Sequence, residues 1–118
     1  MSKENEIYGF FGLLYYDELP DSELESLEEI FNDAGIDASV SSTELDFDTE
    51  GLEHDEYTAV ISVLKKVAKV VKEGEAEIKC EIGNDEEGDP RFEFYTIKEG
   101  KLWRQPAKIV REVAKPVK

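Results

Sequence analysis

Residues 6–16, EIYGFFGLLYY, decide how the fold is read, because they are apolar at almost every position. In a strand, successive side chains point to opposite faces of the sheet. One face would carry Ile7, Phe11, Leu13 and Tyr15, and the other Tyr8, Phe10, Leu14 and Tyr16. The stretch therefore predicts a central strand that is covered on both faces. The alternative is that one aromatic face stays exposed as a patch for a dimer or a partner.

Residues 20–34 predict the first helix. Its apolar residues recur at helical spacing: Leu24, Leu27, Ile30, Phe31 and Ala34. Ser22 and Glu25 have the spacing of a capping box, in which each side chain bonds the backbone of the other residue. Gly35 stands where a left-handed residue is wanted at the end of a helix.

Residues 37–48 predict a second strand that contains an irregularity. Ala38 and Val40 share one face, whereas Leu45 and Phe47 have the opposite parity. A slip of one residue would turn both pairs inward, so the pattern predicts a bulge at residues 41–43. A loop is then expected at residues 48–54.

A second helix is predicted from about residue 55 to residue 72. Its apolar stripe consists of Tyr57, Val60, Ile61, Leu64, Val67, Ala68 and Val71. A strand over residues 58–63 is the competing interpretation, because valine favours strands. The length and the period favour the helix, which Gly74 ends.

Three more strands are predicted over residues 75–82, 91–97 and 101–105. The first alternates, with Ala76, Ile78, Cys80 and Ile82 directed inward. The other two form a hairpin around residues 98–100, where Gly100 supplies a positive φ.

Two segments of this half are less regular. Residues 83–90 form a polar turn between strands. The tail from about residue 106 fits either a short amphipathic helix or a last strand.

The order β-α-β-α-β-β-β lacks a repeated βαβ unit and favours an α+β fold. We expect a mainly antiparallel sheet of about five strands with two helices packed on it. The 118 residues suit a single domain over residues 1–118, with a basic tail from about residue 106 that is free to be flexible.

The charge of −15 is distributed very unevenly along the chain. Residues 1–57 hold 18 acidic residues and one lysine, whereas residues 58–118 hold 11 acidic and 13 basic residues. Such an acidic half repels nucleic acid and anionic membranes and attracts basic protein surfaces. The single cysteine, the charged first residues and the lack of a long apolar run together predict a cytoplasmic protein.

No arrangement of residues predicts catalysis. His54 is the only histidine, and no serine has the spacing of a nucleophile. Cys80 falls on the inward side of its strand, where a thiol acts as a small apolar residue. One histidine and one cysteine cannot form a zinc site, and the oxygen-rich residues 84–89 lack the spacing of a calcium loop. We therefore expect no enzyme, no cofactor and no metal.

The acidic residues instead predict a binding surface on the first helix and the second strand. The expected partner-binding residues are Glu25, Glu29, Asp33, Glu44, Asp46 and Asp48. Glu29 and Asp33 repel each other at helical spacing, a cost that has no local explanation. The hypothesis is a non-enzymatic inhibitor that docks a basic protein, such as a nuclease or other nucleic-acid-binding protein, and mimics DNA with its carboxylates.

In size and charge the chain resembles the small acidic phage proteins that inhibit restriction or CRISPR nucleases, although no motif identifies a family. An immunity protein against a basic nuclease toxin would use the same surface. A structural or assembly protein would instead self-associate through the first strand or the tail. Trp103, at the end of the hairpin, is a candidate anchor for a partner. The remaining alternative is that the acidity serves only solubility or reflects a salt-rich or acid-biased proteome.

Overall fold

The computed structural model describes residues 6–84, 90–110 and 112–117. Its elements, in chain order, are β1 (Glu6–Tyr15), α1 (Asp21–Ala34), β2 (Ala38–Val40), β3 (Glu44–Leu52), α2 (His54–Val71), β4 (Gly74–Asn84), β5 (Arg91–Lys98) and β6 (Lys101–Lys108). The strands form one antiparallel sheet in the order β2-β3-β1-β4-β5-β6. The predicted α+β class with two helices is confirmed, and the sheet has six strands instead of about five.

Both helices pack on the same side of the sheet, which we call the helix face. The ring of Phe31 in α1 lies 5.6 Å from that of Phe47 in β3, measured between centroids. Tyr57 in α2 stacks on Tyr8 in β1 at 4.2 Å. The opposite side, which we call the open face, is exposed to solvent.

β1 is central, as predicted, but only its helix face is covered. Phe10 and Leu14 are buried there, whereas Phe11 and Tyr15 on the open face are 62% and 44% exposed. The prediction of two covered faces is wrong because the two helices supply one apolar layer and both pack on the same side.

The segment predicted as one bulged strand is a hairpin of two strands. Val40 lies directly opposite Leu45, and Ala38 lies opposite Phe47. Residues opposite each other in an antiparallel pair point to the same face, so the change of parity brings all four inward without a bulge. The predicted loop at residues 48–54 is also wrong, since β3 continues to Leu52.

α1 ends as predicted and begins differently. Gly35 has φ +70°, and the N–H of Ile36 donates to the carbonyl of Phe31 at 3.0 Å. The predicted capping box is absent, because the helix begins at Asp21, two residues before the start that a Ser22 cap would set, and has no side-chain cap. Ser22 lies within the first turn, where its carbonyl accepts a hydrogen bond from the Ser26 hydroxyl.

α2 lies within one residue of its predicted bounds, so the competing strand over residues 58–63 is wrong. A capping box not foreseen from the sequence starts it, with the N–H of Glu53 donating to the Glu56 carboxylate at 3.1 Å. Within the described ranges, no helix combines the length and apolarity needed to cross a membrane.

The C-terminal strands follow the prediction closely. Ile78, Cys80 and Ile82 are buried, and Glu99 and Gly100 both have positive φ in the β5–β6 turn. β6 runs to Lys108, so the beginning of the predicted tail is strand. Beyond it, residues 109–110 and 112–117 have no regular secondary structure. The predicted polar turn begins later, since Gly83 and Asn84 belong to β4, and residues 85–89, with most of the oxygen-rich cluster, lie outside the described residues.

Candidate protein-binding face

The open face of β1 carries a column of apolar side chains. Its members are Ile7, Phe11, Leu13 and Tyr15. They share this face because the alternate positions of the strand are buried against the helices. Phe11, at 62% exposure, is the most accessible of them. Large apolar side chains gathered on one exposed face are typical of an interaction surface.

Carboxylates border this column on the β3 side. In the antiparallel register Asp48 lies opposite Phe11, Asp46 lies opposite Leu13, and Glu44 lies opposite Tyr15. All three acidic residues are exposed. They alternate with the buried Leu45 and Phe47, so they are directed away from the helix layer.

A second row of charged residues borders the column on the β4 side. Glu75 lies opposite Tyr15, Glu77 opposite Leu13, Lys79 opposite Phe11 and Glu81 opposite Gly9. Among the described residues, none of the carboxylates in either row forms a salt bridge. Around β1 the open face thus has an apolar column bordered on both sides by carboxylates, with Lys79 as the one cation of the two rows.

The six predicted partner-binding residues divide between two surfaces. Glu44, Asp46 and Asp48 lie together on the open face. Glu25, Glu29 and Asp33 are exposed on α1. Because α1 packs on the helix face through Leu27 and Phe31, its acidic residues lie on the other side of the sheet. The structure therefore brings three of the six to the apolar column and leaves the other three in the helix layer.

The glutamates of β4 were missed as candidate site residues. The alternation predicted for this strand, with Ala76, Ile78, Cys80 and Ile82 inward, leaves the intervening Glu77 and Glu81 on the outward side. That β4 lies beside β1 was not visible, because the two strands are separated by β2, β3 and both helices. The pairing of distant strands, and not any local signal, gives these carboxylates their place.

Trp103 lies at the β6 edge of the sheet and is 42% exposed. It pairs with Thr96, so it belongs to the open face. Its indole N–H donates to the carbonyl of Lys98 at 3.2 Å, and the Lys98 ammonium lies 4.9 Å from its ring centroid. The ring is therefore held by its own hairpin, three strands away from the apolar column.

The two residues considered for catalysis, Cys80 and His54, make packing contacts within the fold. Cys80 is fully buried, and burial, followed by the charge of Glu93, raises the pKa of its thiol to about 12. His54 starts α2 with its ring 5.7 Å from that of Tyr57 and 5.9 Å from that of Tyr8. Within the described ranges, no group of three potential metal ligands comes together.

A polar cluster on the helix face consists of side chains that hydrogen-bond to one another. The hydroxyls of Tyr57 and Tyr95 each donate to the same oxygen of Glu93 at 2.5 Å. Arg104 Nε lies 3.7 Å from the other oxygen of this carboxylate. Burial raises the pKa of both tyrosines, which keeps them protonated as donors. The cluster ties α2 to β5 and β6.

Comparison with protein-family models, curated proteins and solved structures found no match.

Proposed function

We propose that this chain is a non-enzymatic binding protein that docks a basic protein surface on its open face. The observation that carries the proposal is the exposed apolar column of β1 between carboxylates on β3 and β4. Protein interfaces combine an apolar centre, which supplies most of the affinity, with a polar margin. A partner with an apolar patch surrounded by lysines and arginines would complement both parts.

The size of the face suits such a partner. Five of the strands have eight residues or more. At roughly 4.8 Å between neighbouring strands and about 3.3 Å per residue, they give a projected area of roughly 500 Å². Each partner in a standard protein interface buries about 800 Å² of accessible surface. The open face alone therefore offers an area of the order that a specific complex needs, before any contribution from α1.

The proposed partner is a nuclease or another nucleic-acid-binding protein. Such proteins present basic surfaces that neutralise phosphates, and carboxylates at the surface of this chain would take the place of those phosphates. In this role the chain acts as an inhibitor. An immunity protein against a nuclease toxin would use the same face, so the identity of the partner separates the two.

The assembly alternative is disfavoured by charge. If two copies met through their open faces, the apolar columns would touch while the carboxylates of β3 and β4 faced one another. Like charges that face each other across an interface make the free energy of association less favourable by several kcal/mol. We therefore expect a monomer by light scattering, whereas a stable dimer would favour the assembly role.

The test is capture of a partner from host lysate by three chains. The first is native, the second has Glu44, Asp46 and Asp48 changed to lysine, and the third has Glu25, Glu29 and Asp33 changed to lysine. The two variants change the net charge equally, so the α1 variant controls for charge alone. Capture is compared at about 0.1 M and about 1 M salt, between which the Debye length falls from about 10 Å to about 3 Å.

We expect the native chain and the α1 variant to capture a basic nucleic-acid-binding protein that the β3 variant does not capture. High salt should release this protein. That result would support the proposal. If both variants capture this protein as well as the native chain, the acidic margin of β3 is not the working surface. Circular dichroism of each variant confirms that the loss is not unfolding.

A further inference from the structure

We propose that the partner is anchored by an arginine whose guanidinium enters a depression at Gly9 and stacks on Phe11. The inference rests on the proposed docking of a basic protein on the open face, and it names the side chain that this face receives. Its basis is a local departure from regular sheet geometry on the open face, between β1, β3 and β4.

The depression lies where a bulge interrupts the regular pairing of β1 with β3. The register between them shifts between Tyr8 and Phe10, and Gly51 in β3 has φ +69°. At the same place the N–H of Phe10 donates to the Thr49 hydroxyl at 3.2 Å, in place of a ladder bond. Gly9 adds no side chain, so an open depression of about 520 Å³ remains.

The lining of the depression combines an aromatic ring with carboxylates on two sides. Phe11 stands at one end as the most exposed residue of the apolar column. Asp48 and Glu50 line the β3 side, and Glu81 lines the β4 side. Lys79 is the one cation among the lining residues, and its ammonium lies 5.6 Å from the ring centroid of Phe92 on β5. Among the described residues neither Lys79 nor the three carboxylates form a salt bridge, so the carboxylates can accept a cation from outside.

The chemistry favours arginine over lysine. A guanidinium is flat, so it stacks on an aromatic ring while its edge donates two parallel hydrogen bonds to a carboxylate. An ammonium is a strongly hydrated point charge. It has neither a flat face to stack on the ring nor an edge that donates two parallel hydrogen bonds. Glycine at position 9 suits this geometry, because a β-carbon there would lie 3.2 Å from the Thr49 carbonyl oxygen and would fill part of the depression.

The test uses hexa-arginine and hexa-lysine peptides as probes of the full chain, followed by amide chemical shifts. Hexa-arginine is expected to shift Gly9, Phe11, Asp48, Glu50 and Glu81 most. Hexa-lysine is expected to bind about two- to fivefold more weakly, since it loses the stacking interaction. Phe11→Leu keeps an apolar side chain and removes the ring, so it should abolish the preference for arginine.

Glu29→Gln is the matched control, because it removes one charge from α1 and should leave the preference and the pattern of shifts unchanged. Glu81→Gln should weaken hexa-arginine binding. Equal binding of the two peptides to the native chain, or the largest shifts on α1, would overturn the proposal. These peptide titrations do not use the captured partner, so the two proposals can fail separately. The preference for arginine can be absent although a partner is captured, and it can be present although no partner is captured.

Discussion

Two glycines of β1 serve different sides of the sheet. Gly9 faces the open side, where its missing side chain leaves the depression. Gly12 faces the helices, and a β-carbon there would overlap the ring of Phe47. Gly9 lies opposite the bulge in β3, and Gly12 is the point where the Phe47 ring approaches the β1 backbone closely.

The close approach predicts a large effect of Gly12→Ala. The added methyl group would push the Phe47 ring out of a packed core, which should lower the free energy of unfolding by about 1–3 kcal/mol. Gly83→Ala on β4 is the control, because its nearest neighbour is the Ile7 carbonyl at 4.0 Å. Urea unfolding should find that variant within about 0.5 kcal/mol of the native chain. Equal losses in both would contradict the account of Gly12.

Tyr16 predicts a loss of stability in alkali. Its hydroxyl lies 2.6 Å from the carbonyl of Ser41 and 2.9 Å from that of Glu44, so it ties β1 to the β2–β3 hairpin. Burial, followed by the charge of Glu44, raises its pKa from 10.0 to about 12. Between these values the unfolded chain loses the proton and the folded chain keeps it, so the free energy of unfolding falls as the pH rises.

The measurement is urea unfolding of the native chain and of Tyr16→Phe from pH 7 to pH 11. At pH 7 the variant should be less stable by about 0.5–1.5 kcal/mol, because it lacks the hydroxyl proton that the carbonyls of Ser41 and Glu44 share. The difference should shrink above about pH 10, where only the native chain pays for keeping a proton. A difference that stays constant across this range would show that the Tyr16 pKa is not raised in the folded chain.

At the scale of elements, the segments predicted correctly are those whose pattern is local. α2 repeats its apolar residues over five turns, and β4 alternates over its whole length. The β5–β6 turn follows from Gly100. In each case the residues that decide the structure are close in sequence, so no knowledge of a distant partner is needed.

The wrong predictions come from sequence patterns that fit two different structures equally well. The parity change between Val40 and Leu45 fits a bulge in one strand as well as a hairpin of two strands, because both turn the same side chains inward. Apolar residues on both faces of β1 fit a covered strand as well as a binding face. The number of helices available to cover the sheet decides the second case, and that is a property of the whole chain.

The two helix starts give a prediction at this scale. Glu56 accepts a hydrogen bond from the backbone of Glu53 in α2, whereas Glu25, the residue expected to do so in α1, makes no capping contact. Glu56→Ala should therefore lower the free energy of unfolding by about 0.5–1.5 kcal/mol. Glu25→Ala, on a helix start without such a bond, should change it by less than about 0.5 kcal/mol in the same urea titration. A larger effect at Glu25 would contradict the assignment of the caps.

At the scale of the whole molecule, the order of the strands in the sheet decides where the unevenly distributed acidic residues lie. It gathers acidic residues from both halves of the chain beside β1 on the open face. β3 brings the acidic N-terminal half to one side of β1, and β4 brings glutamates from the other half to its other side. The sequence alone shows the acidic residues and their uneven distribution along the chain. It could not assign them to faces, because that depends on α1 packing on the side opposite to Glu44, Asp46 and Asp48.

The central claim is that the open face, and not the helix layer, receives the partner. The most direct test is methyl NMR of the native chain titrated with the captured partner. The account predicts shifts in the methyl signals of Ile7 and Leu13 on the open face, with those of Leu24 and Ile30 on α1 unchanged. Shifts of Leu24 and Ile30 with Ile7 and Leu13 unaffected would place the partner on the helix layer and contradict the account.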